Sequence, residues 1–81
     1  MYHVYILRSL KNKKRYIGFT SKDPKIRLQE HNEGFNSFTR YNGPFILIYS
    51  EAYTDESFAR KCESYFKTGH GRKYSKEVLF L

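Results

Sequence analysis

The period of apolar and polar positions changes several times along this chain, and each change predicts an element. Val4-Tyr5-Ile6-Leu7 is one apolar run and Tyr16, Ile17 and Phe19 make a second; both are β-branched or aromatic and too short for helices. The polar stretch Lys11-Asn12-Lys13-Lys14 between them supplies a hairpin turn. With an even-numbered loop, Ser9 faces Tyr16 across an antiparallel pair. Alternation then puts Tyr5 and Tyr16 on one face with His3, Leu7 and Gly18, and Val4, Ile6, Leu10, Ile17 and Phe19 on the other. The second set is an ordinary apolar face. The first gathers two phenols beside a glycine and needs another reason.

The next segment predicts a helix opening at Pro24, with Asp23 as N-cap and Gly34 just past its end. Arg27 and His31 lie one turn apart on it, facing the same way. The short connection Phe19–Lys22 keeps that helix near the second strand, so two tyrosines, an arginine and a histidine can converge over one end of the sheet. Phe35–Pro44 is rich in turn formers and reads as a loop. Phe45–Tyr49 is apolar at every position, which suits a strand covered on both faces and calls for helices on both sides. A second helix is predicted from about Asp55 to Thr68, capped by Thr54 or Asp55 and stopped by Gly69. Phe58, Ala59, Cys62, Tyr65 and Phe66 form its buried stripe, and Arg60, Glu63 and Lys67 the stripe beside it. Gly69–Tyr74 reads as a basic loop, with Ser75 able to cap a short last helix whose Val78, Leu79 and Phe80 close the core. The prediction is one α+β domain over residues 1–81. Its small three-stranded antiparallel sheet is flanked by helices in the order ββαβα, plus the short C-terminal helix.

Composition narrows the function. Fifteen aromatic side chains, eight Tyr and seven Phe, suit the small core of an 81-residue chain. The net charge of +7 gives it an electrostatic reason to meet polyanions, nucleic acid foremost, although lysines also serve solubility. No apolar run is long enough to span a bilayer, no signal-peptide plan opens the chain, and no segment pairs a basic face with a broad apolar one, which argues against a membrane partner. A single cysteine, Cys62, fits a reducing cytoplasm, and the absence of any Cys-x-x-Cys pair argues against structural zinc.

The pattern His3-Val4-Tyr5, then Tyr16-Ile17-Gly18, Arg27-Leu28, His31 and a later helical Glu63 resembles the GIY-YIG nuclease family in its small, excinuclease-like form. The likeness covers nearly the whole chain; Tyr-Ile-Gly is literal, while His3 stands where the name-giving glycine would be. The resemblance implies three strands flanked by helices and a metal-dependent endonuclease that hydrolyses DNA in one step. It implies Mg²⁺ or Mn²⁺ on Glu63, Arg27 at the scissile phosphate, Tyr5 in the base-like role, Tyr16 orienting water or phosphate, and His31 as proton relay. Gly18, Lys14, Arg15, Lys67, Arg72 and Lys73 are the candidate nucleic-acid contacts. No asparagine follows Asn42, so the downstream asparagine of some members is absent.

The chemistry suits these residues. One carboxylate can hold magnesium when phosphate and waters complete the shell, and a guanidinium grips two phosphate oxygens. A phenol, whose pKa is about 10, becomes a base near neutral pH only where its site lowers that value. Each residue also has a plain structural role: Glu63 pairing Arg60 or Lys67, Arg27 pairing Glu30 or Glu33, and the tyrosines packing as strand residues. Substrates chosen by shape, such as branched, nicked or flapped DNA, suit so small a chain, with any finer specificity left to a protein partner. Two rivals are a nucleic-acid-binding module that does not cut and acts within a larger assembly, and an RNA-binding sheet, for which the aromatic consensus strand is missing.

Overall fold

The apolar run Val4–Leu7 becomes the middle of the sheet. The computed structural model describes residues 1–81 and arranges them as β1 (Tyr2–Ser9), β2 (Arg15–Thr20), α1 (Pro24–Asn32), α2 (Ser37–Asn42), β3 (Phe45–Tyr53), α3 (Glu56–Phe66) and α4 (Gly69–Glu77). The sheet is antiparallel in the order β2-β1-β3, so β1 is paired on both sides. Four consecutive residues, Val4, Tyr5, Ile6 and Leu7, are therefore buried whichever face they point to.

The hairpin register differs from the expected one by two residues, with Tyr16 opposite Leu7 and Gly18 opposite Tyr5. The cause is Ser9, whose hydroxyl accepts from the Lys11 and Asn12 amides at 3.0 and 3.1 Å and starts the turn early. The loop is Leu10–Lys13, closed by the Ser9 amide on the Lys14 carbonyl at 2.8 Å, with Lys13 in the left-handed region at φ 63°. A slip of two keeps every side chain on its face. Leu10 is the exception, exposed in the turn and outside the core.

Each face of the sheet carries a helical layer. Val4 and Ile6 pack with Ala59 and Phe66 of α3, joined by Ile17, Phe19, Leu79 and Leu81. Tyr5, Leu7 and Phe45 pack on the opposite side with Tyr16, Leu28 and Phe38, under α1 and α2. Asp23 caps α1 by accepting from the Lys25 amide, with Pro24 at its first position. Asn32 at its end pairs both ways with the Phe45 backbone, at 2.7 and 3.1 Å, and fastens α1 to β3.

Several expectations are corrected. The Phe35–Pro44 stretch contains α2, held by a capping box between Asn36 and Thr39 that offsets its turn-forming composition. The apolar strand β3 continues to Tyr53 and lies at the sheet edge; Phe45 is buried, Ile46 is exposed and the rest of the apolar run is half-buried. In α3, capped by Asp55, Phe58 and Tyr65 of the expected buried stripe are exposed. Gly69 begins α4, and Thr68 caps it. A Cβ on Gly71 would overlap the Tyr65 carbonyl, so this glycine lets α4 turn closely back on α3. Ser75 sits buried within α4, and Leu79 with Leu81 reaches the core while Val78 and Phe80 are exposed.

Candidate active site

On the α1 side of the sheet, parity puts Tyr5 and Tyr16 on one face, and Asp23-Pro24 starts a helix whose second turn hangs Arg27 and His31 over them. Tyr5 is 1% exposed and His31 fully buried, with the Tyr5 Oη 2.8 Å from His31 Nε2. The imidazole is 4.6 Å from the Tyr16 ring, centre to centre, and edge-on to Phe35. Arg27, 16% exposed, lies 4.1 Å over the Phe35 ring and bonds Glu30 at 2.8 Å. Two buried nitrogens here have no partner, Nε of Arg27 and Nδ1 of His31. Gly18 explains how the phenol fits, because any Cβ there would overlap the Tyr5 ring and hydroxyl. The glycine makes room for a neighbouring side chain within the sheet.

Burial governs the ionisation of this cluster. It raises the Tyr5 pKa above 10.0, and the opposing pull of the Arg27 guanidinium does not cancel the shift. Burial lowers His31 below 6.5, with Arg27's charge adding to the effect. For Arg27 itself burial works against the charge, but the nearby Tyr5 phenol and the bonded Glu30 carboxylate outweigh that cost and hold it charged. At neutral pH the cluster is therefore a phenol, a neutral imidazole and a guanidinium. With the imidazole neutral, Nε2 can accept the phenol proton across the 2.8 Å contact.

Glu63 belongs to the opposite layer, yet its negative charge reaches Tyr5 and helps raise its pKa. Its side chain is 20% exposed, and the carboxylate bonds Lys67 at 3.0 Å. Beside it an open groove of about 770 Å³ crosses the free edge of β2, lined by Lys13, Lys14, Arg15, Lys67, Arg72 and Lys76, with Tyr16, Ile17 and Phe38. Arg15 is fixed there by a 2.9 Å bond to the Ser75 hydroxyl of α4. Of the sequence-derived nucleic-acid candidates, Lys14, Arg15, Lys67 and Arg72 line this groove; Lys73 and Gly18 do not. Lys13, Lys76 and Phe38 were not singled out from sequence, and neither was Asn36, whose amide lies 3.4 Å from the Tyr16 hydroxyl. The capping-box spacing Asn36–Thr39 was the available signal for that last residue. Both plain pairings are also present, Arg27 with Glu30 and Glu63 with Lys67.

A phosphate-sized anion approaching the β2 edge would meet six cations beside Tyr16, while the Arg27 guanidinium lies over Phe35 in the cluster behind it. The model of the GIY-YIG catalytic domain matches residues 1–75, and the chain belongs to that family, a family of nucleases. Among curated proteins it is similar to a UPF0213 protein of Streptococcus pyogenes serotype M3, 36% identical over 66 residues, covering 80% of this chain and 70% of the relative. It is also similar to a UPF0213 protein of Streptococcus agalactiae serotype V, 42% identical over 53 residues, covering 64% of this chain and 59% of that one. No solved structure matches. No helix is long and apolar enough to cross a membrane.

Proposed function

We propose that this protein is a metal-dependent endonuclease that hydrolyses DNA phosphodiester bonds in a single step, directed by the shape of the DNA more than by its sequence. One observation carries the reading: the Tyr5–His31–Arg27–Tyr16 cluster lies beside a cationic groove suited to a phosphate backbone. Arg27 exchanges Glu30 for the scissile phosphate and stabilises its developing charge. Tyr16 orients the attacking water. The proton of that water passes to the Tyr5 oxygen as the phenol proton moves along the 2.8 Å bond to His31. A relay of this kind needs no free phenolate, so the raised Tyr5 pKa does not oppose it.

Glu63 fits a hard divalent cation: its carboxylate is partly solvated, and Lys67, its partner, is an exposed side chain that a cation can displace. Magnesium keeps most of its waters and accepts one or two carboxylates with substrate phosphate, so Glu63 would hold Mg²⁺ or Mn²⁺. When bound, the ion supplies charge stabilisation to the leaving oxygen. The lone cysteine fits a reducing cytoplasm, the family likeness suggests repair-like processing, and selection among branched, nicked and flapped DNA would come from a protein partner or from the groove itself.

The test is cleavage of labelled single-stranded, duplex, nicked, flapped and branched DNA with Mg²⁺, Mn²⁺ or EDTA, beside Glu63→Ala. Metal-dependent cutting that Glu63→Ala abolishes, with binding retained, is the expected result. Equal cutting by the variant would remove Glu63 from the site. The second reading, a binding module acting within a larger assembly, draws on the Arg27–Glu30 and Glu63–Lys67 pairs, which occupy both groups the chemistry needs. Salt-sensitive binding without cutting by either protein would decide for it.

A further inference from the structure

At the opposite edge of the sheet, between β3 and the helices α3 and α4, lies a second cavity of about 260 Å³. Six aromatic rings wall it: Tyr49, Tyr53, Phe58, Tyr65, Phe66 and Tyr74. Neighbouring rings stand at steep angles, 67° for Tyr53 and Phe58, 66° for Tyr65 and Tyr74, and 63° for Tyr49 and Phe66, so their planes do not stack flat on one another. Phe58, Tyr65 and Tyr74 remain substantially exposed, an unusual cost for large aromatics on so small a protein. The Cys62 side chain and one carboxylate complete the lining. Glu51 accepts from the Tyr49 hydroxyl and forms no ion pair with any of the fifteen lysines and arginines of the chain.

We propose that this cavity binds an alkylated ammonium group. The face of an aromatic ring is negative and attracts a cation that is too poorly hydrated to prefer water, and a carboxylate at the wall adds direct Coulomb attraction. Lining chemistry and charge therefore select an organic cation over a neutral apolar group. Size selects a single head group, since pockets for drug-sized molecules run from about 300 to 1,000 Å³. Burial, followed by Glu51 for Tyr49 and by Cys62 for Tyr53, raises both phenols above their ordinary range, so the rings stay neutral. The site is independent of the nuclease reading, because the cationic groove lies at the β2 edge and this cavity at the β3 edge. The same head group occurs on a trimethylated lysine side chain and on choline.

The experiment is titration of the whole protein, followed by the NMR shifts of its tyrosine and phenylalanine rings. The probes are tetramethylammonium, trimethyl-lysine, choline, unmodified lysine and the neutral choline isostere 3,3-dimethylbutanol, all at constant ionic strength. Saturable shifts confined to the six cavity rings are expected for the three quaternary cations, with the alcohol at least tenfold weaker. Tighter binding of trimethyl-lysine than of choline would assign a methylated protein, and the reverse a choline-bearing molecule. Glu51→Gln, at an exposed side chain, should weaken tetramethylammonium about tenfold with the fold unchanged, and Phe58→Leu should weaken it as well. Equal binding of the alcohol, no saturation by any cation, or full affinity in Glu51→Gln would overturn the proposal. DNA cleavage is not among the readouts, so failure here leaves the nuclease reading standing.

Discussion

At the scale of single residues, Gly18 and Tyr5 form one unit. The Tyr5 ring occupies the space a side chain at Gly18 would need, and Tyr5 is buried against His31, so it has nowhere to yield. Gly18→Ala should therefore destabilise the fold by about 1–3 kcal/mol, as overpacking does, measured by urea unfolding. It should also break the Tyr5–His31 bond, visible as a changed His31 ring resonance. His31 makes a separate prediction. Its folded pKa lies below 6.5, so the unfolded chain binds the proton more readily. The stability it contributes is complete above pH 6.5 and is lost as pH falls toward the folded value. The melting temperature should thus decline over that interval, and His31→Gln should flatten this part of the profile. A wild-type curve that is level there would contradict the burial argument. None of this was legible from sequence. Tyr5, Tyr16, Arg27 and His31 could be assigned to a common region by parity and helical spacing, but burial of the phenol, and so the sign of its pKa shift, depends on what α1 places over it.

At the scale of elements, caps were the readable signals, with Gly34 at φ 89° just past α1 as expected, and the misleading residues were Gly69 and Gly71. Asp23-Pro24 and Asp55 mark the starts of α1 and α3 because a side-chain acceptor followed by free amides is a local arrangement. The helices α2 and α4 escaped because Asn36 sits among turn formers, and Gly69 and Gly71 look like breakers. The first glycine opens α4, and the second is required by the Tyr65 carbonyl. The strand register was hidden for a similar reason: Ser9 caps the turn through its own side chain, and only the parity of the faces survives that shift. The capping box of α2 gives a test at this scale. Asn36→Ala should cost about 0.5–2 kcal/mol of stability, read by denaturant titration, and should speed amide exchange in residues 37–42. Because Phe38 of α2 lines the groove, DNA affinity should fall too, while β3 amides exchange as before.

At the scale of the molecule, charge is collected where the backbone of a polyanion can use it. Six cations from β2, its hairpin and the two later helices share one groove, although only some are neighbours in sequence. Binding to duplex DNA should weaken steeply with salt, and neutralising Lys14 or Lys76 should each lower the logarithmic slope by about 1 without changing sequence preference. An unchanged slope in both variants would move the DNA elsewhere. The strand order has a consequence in time as well. The strand made first, Tyr2–Ser9, is the one that ends in the middle, and its second neighbour, Phe45–Tyr53, is synthesised some forty residues later. Until then the sheet can consist only of a two-stranded hairpin, marginal by itself, with Val4–Leu7 open along one side to any other strand. Lys11, Lys13 and Lys14 at its tip, of which the last two later line the groove, would repel a second copy during that interval and so guard the chain against aggregation.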